Sequence, residues 1–183
     1  MAAGSLTALI DGTAPAEAGT VRVAGRLLVE PHAVHLFGGT LREALVVDDG
    51  VDDARLDDAL GAVALNDLAG AVPDLDHALT DHGLNLSGGQ RQRIAMARAL
   101  VADAPILVLR DPTTAVDAVT EARMAEGIRR YRGRPGRLTV VMTTSPPLLA
   151  SCDRVVFLGP DGCLVSTHAG LVADPTYAEL VLR

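Results

Sequence analysis

The sequence contains no lysine and no tryptophan, and all 16 of its basic residues are arginines. The absence of lysine excludes any phosphate-binding loop that depends on a lysine side chain. Aromatic residues make up only 2% of the chain, so its core must be built from Ala, Val, Leu and Ile. With 183 residues and an apolar content of 49%, the chain is long enough for one domain with a sizeable core.

Several classes of protein are excluded by what else is missing. The formal net charge of −7 argues against a general nucleic-acid-binding protein. No apolar run approaches the roughly 20 residues that a membrane-spanning helix needs, and the first residues carry no basic segment typical of a secretory signal. Cys152 and Cys163 are too far apart for a CxxC motif, which indicates reduced thiols. The sequence therefore predicts a cytosolic chain.

The stretch Leu86-Ser87-Gly88-Gly89-Gln90-Arg91-Gln92-Arg93 predicts a helix whose start is suited to an anion. Ser87 is a strong N-cap residue, because its hydroxyl accepts a hydrogen bond from the free amides of the first turn. Gly88 and Gly89 carry no Cβ, so an outside anion can approach those amides. The alternative is an ordinary glycine-rich helix cap that binds nothing.

That stretch, continued by Ala97-Arg98-Ala99-Leu100, resembles the signature motif of ATP-binding cassette (ABC) proteins. The resemblance covers almost the whole chain, and Leu36-Phe37-Gly38-Gly39-Thr40-Leu41-Arg42-Glu43 looks like exporter-type members. It implies an α/β fold, with a P-loop NTPase-like (RecA-like) core, a mostly parallel sheet and a helical signature subdomain at about residues 41–100. It also implies that residues 1–183 form a single ABC nucleotide-binding domain.

In this family two such domains meet head to tail, and each ATP lies between the phosphate loop of one and the signature of the other. The resemblance therefore implies that ATP with Mg²⁺ binds at a composite site shared with a partner. It implies no cofactor for the isolated chain. Its implied partners are a second nucleotide-binding domain and transmembrane transporter subunits, without nucleic acid. For the second domain we favour a different chain over a copy of this one. The implied location is cytoplasmic, at the inner face of the cell membrane.

The positions that face a partner's ATP match the family pattern. They are the signature residues Ser87, Gly88, Gly89 and Gln90, together with Asp117, which ends the D-loop. Asp81 occupies the acidic position of the short loop before the signature.

The first ten residues resemble the end of a phosphate loop running into its helix. In this alignment Ser5 is a remnant of the motif, Ala3 stands where the family has lysine, and Gly4 stands where it has the hydroxyl that binds magnesium. The glycine-rich turn that should precede them is not in the sequence. An ordinary N-terminal helix explains the same residues.

Two further positions depart from the pattern. His32 occupies the place of the Q-loop glutamine, and Thr144 occupies the place of the switch histidine. His32 and His35 are three residues apart but have no third ligand nearby, so we expect no metal site there.

The apolar run at residues 105–109 predicts a buried strand, after which the family has an aspartate for magnesium and a catalytic glutamate. Here Arg110 and Asp111 follow. At an effective dielectric constant of about 20, a dication about 5 Å from a unit charge interacts with it by roughly 7 kcal/mol. Replacing the aspartate by arginine therefore turns a large attraction for Mg²⁺ into a repulsion. Asp111 is a weakened general base, because a placement error of about 1 Å can cost a hundredfold in rate. Alternatively, Arg110 faces away from the nucleotide and pairs with Asp111.

Apolar patterns predict the remaining elements: β-type runs at 19–25 and 26–29, a helix at 118–131, a strand at 138–142, a strand pair at 153–158 and 162–165, and an amphipathic helix at 175–183. The basic run at 129–137 could contact RNA or anionic lipid. We favour the alternative that it is the cationic end of a helix followed by a solvated turn.

These observations leave three functional hypotheses open. The first is a catalytically impaired cassette whose signature supports ATP hydrolysis at an intact partner's site. The second is an ordinary ABC transport ATPase whose phosphate loop lies upstream of Met1. The third is a non-catalytic scaffold or regulatory relic that binds no nucleotide.

Overall fold

The computed structural model describes residues 3–30, 36, 39–65, 74–80, 83–160 and 162–182. Its helices are α1 (Ala3–Ile10), α2 (Leu41–Leu45), α3 (Asp53–Ala62), α4 (Gly88–Val101), α5 (Ala118–Arg132), α6 (Pro146–Ser151), α7 (His168–Leu171) and α8 (Pro175–Val181). Its strands are β1 (Leu27–Val29), β2 (Gly39–Thr40), β3 (Ala78–Leu79), β4 (Ile106–Arg110), β5 (Leu138–Met142), β6 (Val155–Gly159) and β7 (Gly162–Ser166). Within these ranges no helix has the length and apolar character needed to cross a bilayer.

A three-stranded parallel sheet with the order β1-β4-β5 confirms the predicted α/β fold. The central strand β4 aligns Val108 with Val29 on one side and with Val140 on the other. Its middle residues are fully buried, as expected for a parallel strand covered on both faces. Because the strands are parallel, their carboxyl ends meet at one edge of the sheet, here called the carboxyl edge.

The helices around the signature pack onto this sheet through one hydrophobic core. Large, fully buried members of this core come from α3, α4, β4 and α5, among them Leu56, Leu60, Met96, Leu100, Leu107, Leu109 and Met124. The approach of α3 to α5 is so close that a Cβ at Gly127 would lie 2.2 Å from the carbonyl oxygen of Ala62. The antiparallel pairs β2–β3 and β6–β7 lie outside the parallel sheet.

The prediction of a β-type run at residues 19–25 is wrong. These residues form no helix or strand, and Gly19 and Gly25 at the two ends have positive φ angles of 81° and 114°. Val21 and Val23 are 50% and 39% exposed, so the alternating pattern has no second surface against which to bury its apolar side. The second run does form a strand, β1, and the other predicted elements are confirmed to within one or two residues at most ends.

One carboxylate, Asp103, binds three arginines of the basic run at residues 129–137. Asp103 forms ion pairs with Arg132 at 2.9 Å, Arg134 at 2.8 Å and Arg137 at 2.5 Å, and we call these four residues the Asp103 cluster. Burial raises the pKa of Asp103, but a hydrogen bond from Arg137 and the charges of the three arginines together hold that pKa below its ordinary value. The cluster supports the structural interpretation of the basic run.

Candidate functional site

The carboxyl edge brings together three of the residues that the sequence analysis predicted for a cis ATP site. Arg110 ends β4, Asp111 follows it, and Thr144 follows β5 in an exposed connection. The amide of Asp111 donates to the carbonyl oxygen of Met142 at 2.9 Å, which ties the two strand ends together. Asp111 has a φ of 44°, a left-handed conformation that Asp tolerates better than most residues.

The side chain of Arg110 does not pair with Asp111, so the alternative of an ion pair between them is not what the structure shows. Instead the Arg110 Nε atom is buried and has no hydrogen-bond acceptor among the described residues. A guanidinium offers donors but no lone pair to a metal ion. Within the described ranges, moreover, no three His, Cys, Asp or Glu side chains are grouped in a way that could hold one. Among the residues that the structure describes, the guanidinium at the end of β4 therefore does not fit Mg²⁺.

Helix α1 lies beside the carboxyl end of β5. The Thr7 hydroxyl donates to the Met142 sulfur at 3.4 Å, and Met142 is opposite Arg110 in the sheet register. The backbone of Ala3, Gly4 and Ser5 forms the first turn of α1. His32 and Asp81 lie outside the described residues, so their predicted roles stay predictions.

Glu30, which the sequence analysis did not single out, directly follows β1 and is mostly buried, with its Oε1 atom out of contact with solvent. Its side chain is 13% exposed, and Oε1 has no hydrogen-bond donor among the described residues. Arg98 Nη2 lies 3.9 Å from Oε1, too far for a hydrogen bond. Burial raises the pKa of Glu30 to about 7, and the charge of Arg98 only partly opposes this. No local pattern marks Glu30, because its burial and its nearest cation, Arg98 of α4, depend on residues far from it in the sequence.

We expect Glu30→Gln to remove a pH-dependent loss of stability. The pKa of Glu30 is about 7 in the folded chain and 4.5 ordinarily, so its favourable contribution is complete below pH 4.5 and is lost as the pH rises through 7. The variant should gain up to about 3 kcal/mol in unfolding free energy at pH 8 and nothing near pH 4.5. Urea unfolding at both pH values would measure this, with the exposed Glu126→Gln as control. Parallel pH profiles for wild type and Glu30→Gln would contradict the expectation.

The predicted N-cap at the signature is confirmed, and it has the form of a capping box. Ser87 Oγ accepts from the Gln90 amide at 3.1 Å, and Gln90 Oε1 accepts from the Ser87 amide at 2.7 Å. This reciprocal pair satisfies two donors and sets the direction in which the chain enters α4. Ser87 and Gly88 are both exposed, so the start of the helix is open to a ligand.

The start of α4 has the chemistry of an anion-binding site. The amides of Gly88 and Gly89 have no acceptor among the described residues, and the positive end of the helix dipole lies at this terminus. The Ser87 hydroxyl accepts from Gln90 but can still donate its own proton. A phosphate oxygen placed there would therefore receive backbone and hydroxyl hydrogen bonds.

The side chains of Arg91 and Arg93 donate hydrogen bonds to backbone carbonyl oxygens of neighbouring segments. Arg91 Nη1 donates to the carbonyl oxygen of Leu86 at 2.8 Å, and Arg93 Nη1 donates to that of Ala64 at 2.8 Å. They brace the loop before α4 and the end of α3.

Asp117 is the N-cap of α5. Its Oδ1 accepts from the amides of Val119 at 3.1 Å and Thr120 at 3.0 Å, and its Oδ2 accepts from the Thr120 hydroxyl at 2.7 Å. The amide and then the hydroxyl of Thr120 are the main causes of a pKa below the ordinary value for Asp117. Asp117 is thus held as an ionised carboxylate at an exposed position.

Comparison with known proteins agrees with this arrangement. Residues 4–114 match the family model described as "ABC transporter". An ATP-dependent lipid A-core flippase of Burkholderia orbicola (strain AU 1054) is 34% identical over 153 residues, which are 83% of this chain and 26% of the relative. The type I secretion system ATP-binding protein PrsD of Rhizobium meliloti (strain 1021) is 35% identical over 170 residues, 84% of this chain and 29% of the relative.

A solved structure gives the same answer for the fold. The structure of a bacterial Atm1-family ABC exporter with ATP bound matches with a TM-score of 0.70 and 29% identity, over 84% of this chain and 28% of that one. The chain thus spans between a quarter and a third of the length of these relatives. Family model, relatives and fold all agree that the chain belongs to the ABC transporter family, as a nucleotide-binding domain of the exporter type.

Proposed function

We propose that this chain is an ATP-binding subunit of an ABC exporter and that it supplies its signature to the ATP site of a partner half. The observation that carries the proposal is the contrast between the start of α4 and the carboxyl edge. The start of α4 presents a complete capping box, two amides open to a ligand and a hydroxyl that can donate. The carboxyl edge presents a guanidinium where a magnesium ligand would be needed.

In this proposal residues 1–183 act as one nucleotide-binding domain, in which the region around 41–100 carries the signature. Ser87, Gly88, Gly89 and Gln90 surround the terminal phosphate of an ATP bound to the partner, and Asp117 faces the same site. Ser5, His32, Asp111 and Thr144 occupy positions of a cis site that hydrolyses ATP poorly or not at all. The nucleotide at the composite site is ATP with Mg²⁺, and the partner supplies the metal ligands.

The proposed partners are a second nucleotide-binding domain that differs from this chain and transmembrane subunits that carry the substrate. Two copies of this chain would pair two carboxyl edges whose guanidinium at the end of β4 does not fit Mg²⁺, which is why a different partner is favoured. Binding to transmembrane subunits would place the chain at the cytoplasmic face of the membrane. The exported substrate is determined by those subunits.

The test compares the chain alone with a complex that contains a transporter half carrying an intact phosphate loop and catalytic glutamate. Alone, the chain should bind ATP weakly in calorimetric titration, and Mg²⁺ should add little because the Arg110 charge opposes it. The complex should hydrolyse ATP. Changing the partner's catalytic glutamate to glutamine should abolish that activity, whereas Asp111→Asn in this chain should leave most of it.

Asparagine is chosen at position 111 because it tolerates the left-handed backbone there. Tight, Mg²⁺-enhanced ATP binding and turnover by the chain alone would instead favour an ordinary transport ATPase. A stable complex in which the chain changes neither nucleotide binding nor hydrolysis would favour a non-catalytic scaffold.

A further inference from the structure

The side-chain amide of Gln92 joins the signature helix to the loop between β4 and α5, residues 111–117. Its Nε2 donates to the Asp111 carbonyl oxygen and to Thr114 Oγ1, both at 3.2 Å, and its Oε1 accepts from the Ala115 amide at 3.2 Å. Both ends of one side chain are therefore engaged with a single loop that is about 20 residues away in sequence.

A second contact on the same face of α4 reinforces this connection. Gly89 lies one turn before Gln92, so the two residues share a face of the helix. A Cβ at Gly89 would lie 2.4 Å from the Ala115 carbonyl oxygen, whereas nothing lies within 4 Å of a Cβ at Gly88. The second signature glycine thus allows the loop backbone to lie directly against the helix, where Gln92 can reach it.

The two ends of this loop are functional positions of the proposed site. Asp111 begins the loop, and its carbonyl oxygen is an acceptor for Gln92. Asp117 ends the loop as the N-cap of α5. Ser87, five residues before Gln92, begins the helix on which Gln92 lies. A rigid connection at Gln92 therefore sets the position of Asp117 relative to Ser87.

We propose that Gln92 is a positioning residue that holds the loop at residues 111–117 in register with the signature. In this role it does not touch ATP, and it presents Ser87 and Asp117 together to the partner's nucleotide. The inference rests on the proposed function, in which both residues act across the dimer. Errors of about 1 Å in such placements can cost about a hundredfold in rate.

The primary variant is Gln92→Met, which keeps the side-chain length and the helix propensity but removes all three hydrogen bonds. In the complex, kcat of the partner's site should fall about 10- to 100-fold, while KM for ATP changes by less than about threefold. Gln92→Glu keeps the acceptor for the Ala115 amide but loses the donor to the Asp111 carbonyl oxygen. We expect it to lower kcat by a similar amount. The exposed Glu126→Gln on α5 is the matched control.

Hydrogen exchange in the isolated chain provides an independent measurement. In Gln92→Met, peptides covering residues 111–117 should exchange at least tenfold faster, while those within α5 stay as in wild type. If hydrogen exchange at residues 111–117 is unchanged, Gln92 does not hold this loop. If an active complex that carries Gln92→Met keeps the wild-type kcat, Gln92 is not a positioning residue. A wild-type complex without hydrolysis would overturn the proposed function first, and the role of Gln92 with it.

Discussion

Replacing Ser87 with arginine should abolish ATP hydrolysis in the complex with the partner half while leaving this chain folded. The Ser87 hydroxyl accepts from the Gln90 amide and keeps a proton to donate. Arginine has no acceptor atom, so the cap is lost together with that donor. Its bulky cation would also occupy the space in front of the Gly88 and Gly89 amides, where the phosphate would lie.

The two effects differ greatly in size. Loss of a serine N-cap costs about 1 kcal/mol of folding free energy, and Ser87 is exposed, so a larger side chain meets no packed neighbours. Removal of one positioned donor to a charged transition state costs about 10²- to 10³-fold in rate. Displacement of the phosphate adds to that loss. The expected result is thus a nearly normal melting temperature with hydrolysis close to background.

Phosphate release by the purified complex would measure the rate, and size-exclusion chromatography would verify that the complex is intact. Ser87→Thr is the matched control, because threonine keeps both the hydroxyl and a good N-cap. It should retain most of the activity. Unchanged hydrolysis by Ser87→Arg in a verified complex would show that this signature does not take part in the reaction.

The features that could be predicted from the sequence are those set by neighbouring residues. Ser87 and the two glycines determine the start of α4, and the apolar runs of β4 and β5 determine buried strands. The wrong prediction of a β-type run at residues 19–25 also came from neighbouring residues alone. Val21 and Val23 alternate with polar residues as in a strand, but whether a strand forms depends on a second surface that the local pattern does not contain.

The features that could not be predicted depend on residues far apart in the chain. Gln92 reaches Ala115, 23 residues away, and Asp103 binds Arg132, 29 residues away. The high pKa of Glu30 likewise follows from burial in the folded chain rather than from its neighbours in sequence. For the same reason the sequence left open whether Arg110 pairs with Asp111, a question that only side-chain positions can decide.

The absence of lysine has a structural counterpart in the way the arginines are used. Several guanidinium groups donate to backbone carbonyl oxygens at the ends of helices and in loops: Arg26 to Ala102, Arg55 to Val101, Arg91 to Leu86, Arg93 to Ala64 and Arg132 to Ala104. A planar guanidinium has five donors in a fixed arrangement and can satisfy such groups while it also forms an ion pair. An ammonium group could not replace Arg132, which does both.

Among the described residues, we expect the Asp103 cluster to make the largest electrostatic contribution to stability. The Arg132 side chain is only 3% exposed, and it donates to Asp103 at 2.9 Å and to the Ala104 carbonyl oxygen at 2.8 Å. Removing one partner of a buried ion pair costs about 3–5 kcal/mol, because the other charge stays buried without compensation. A typical domain has only about 5–15 kcal/mol in total.

We therefore expect Asp103→Asn to lower the unfolding free energy by about 3–5 kcal/mol at pH 7. Asparagine is the appropriate replacement because Asp103 has a φ of 44°, a conformation that asparagine also adopts readily. The loss then reports the charge rather than the backbone. Arg134→Gln is the matched control, since the Arg134 side chain is 50% exposed and its ion pair should contribute no more than about 1 kcal/mol.

The pH dependence provides a second signature of the same interaction. The pKa of Asp103 lies below its ordinary value of 3.8 in the folded chain, so its stabilisation is present above pH 3.8 and is lost as the pH falls through the lower, folded value. Urea unfolding should show that the difference between wild type and Asp103→Asn is largest near pH 7 and shrinks below pH 3.8. A difference under about 1 kcal/mol at pH 7 would mean that solvent stabilises the three arginines, as it does in exposed ion pairs, rather than the half-buried Asp103 carboxylate.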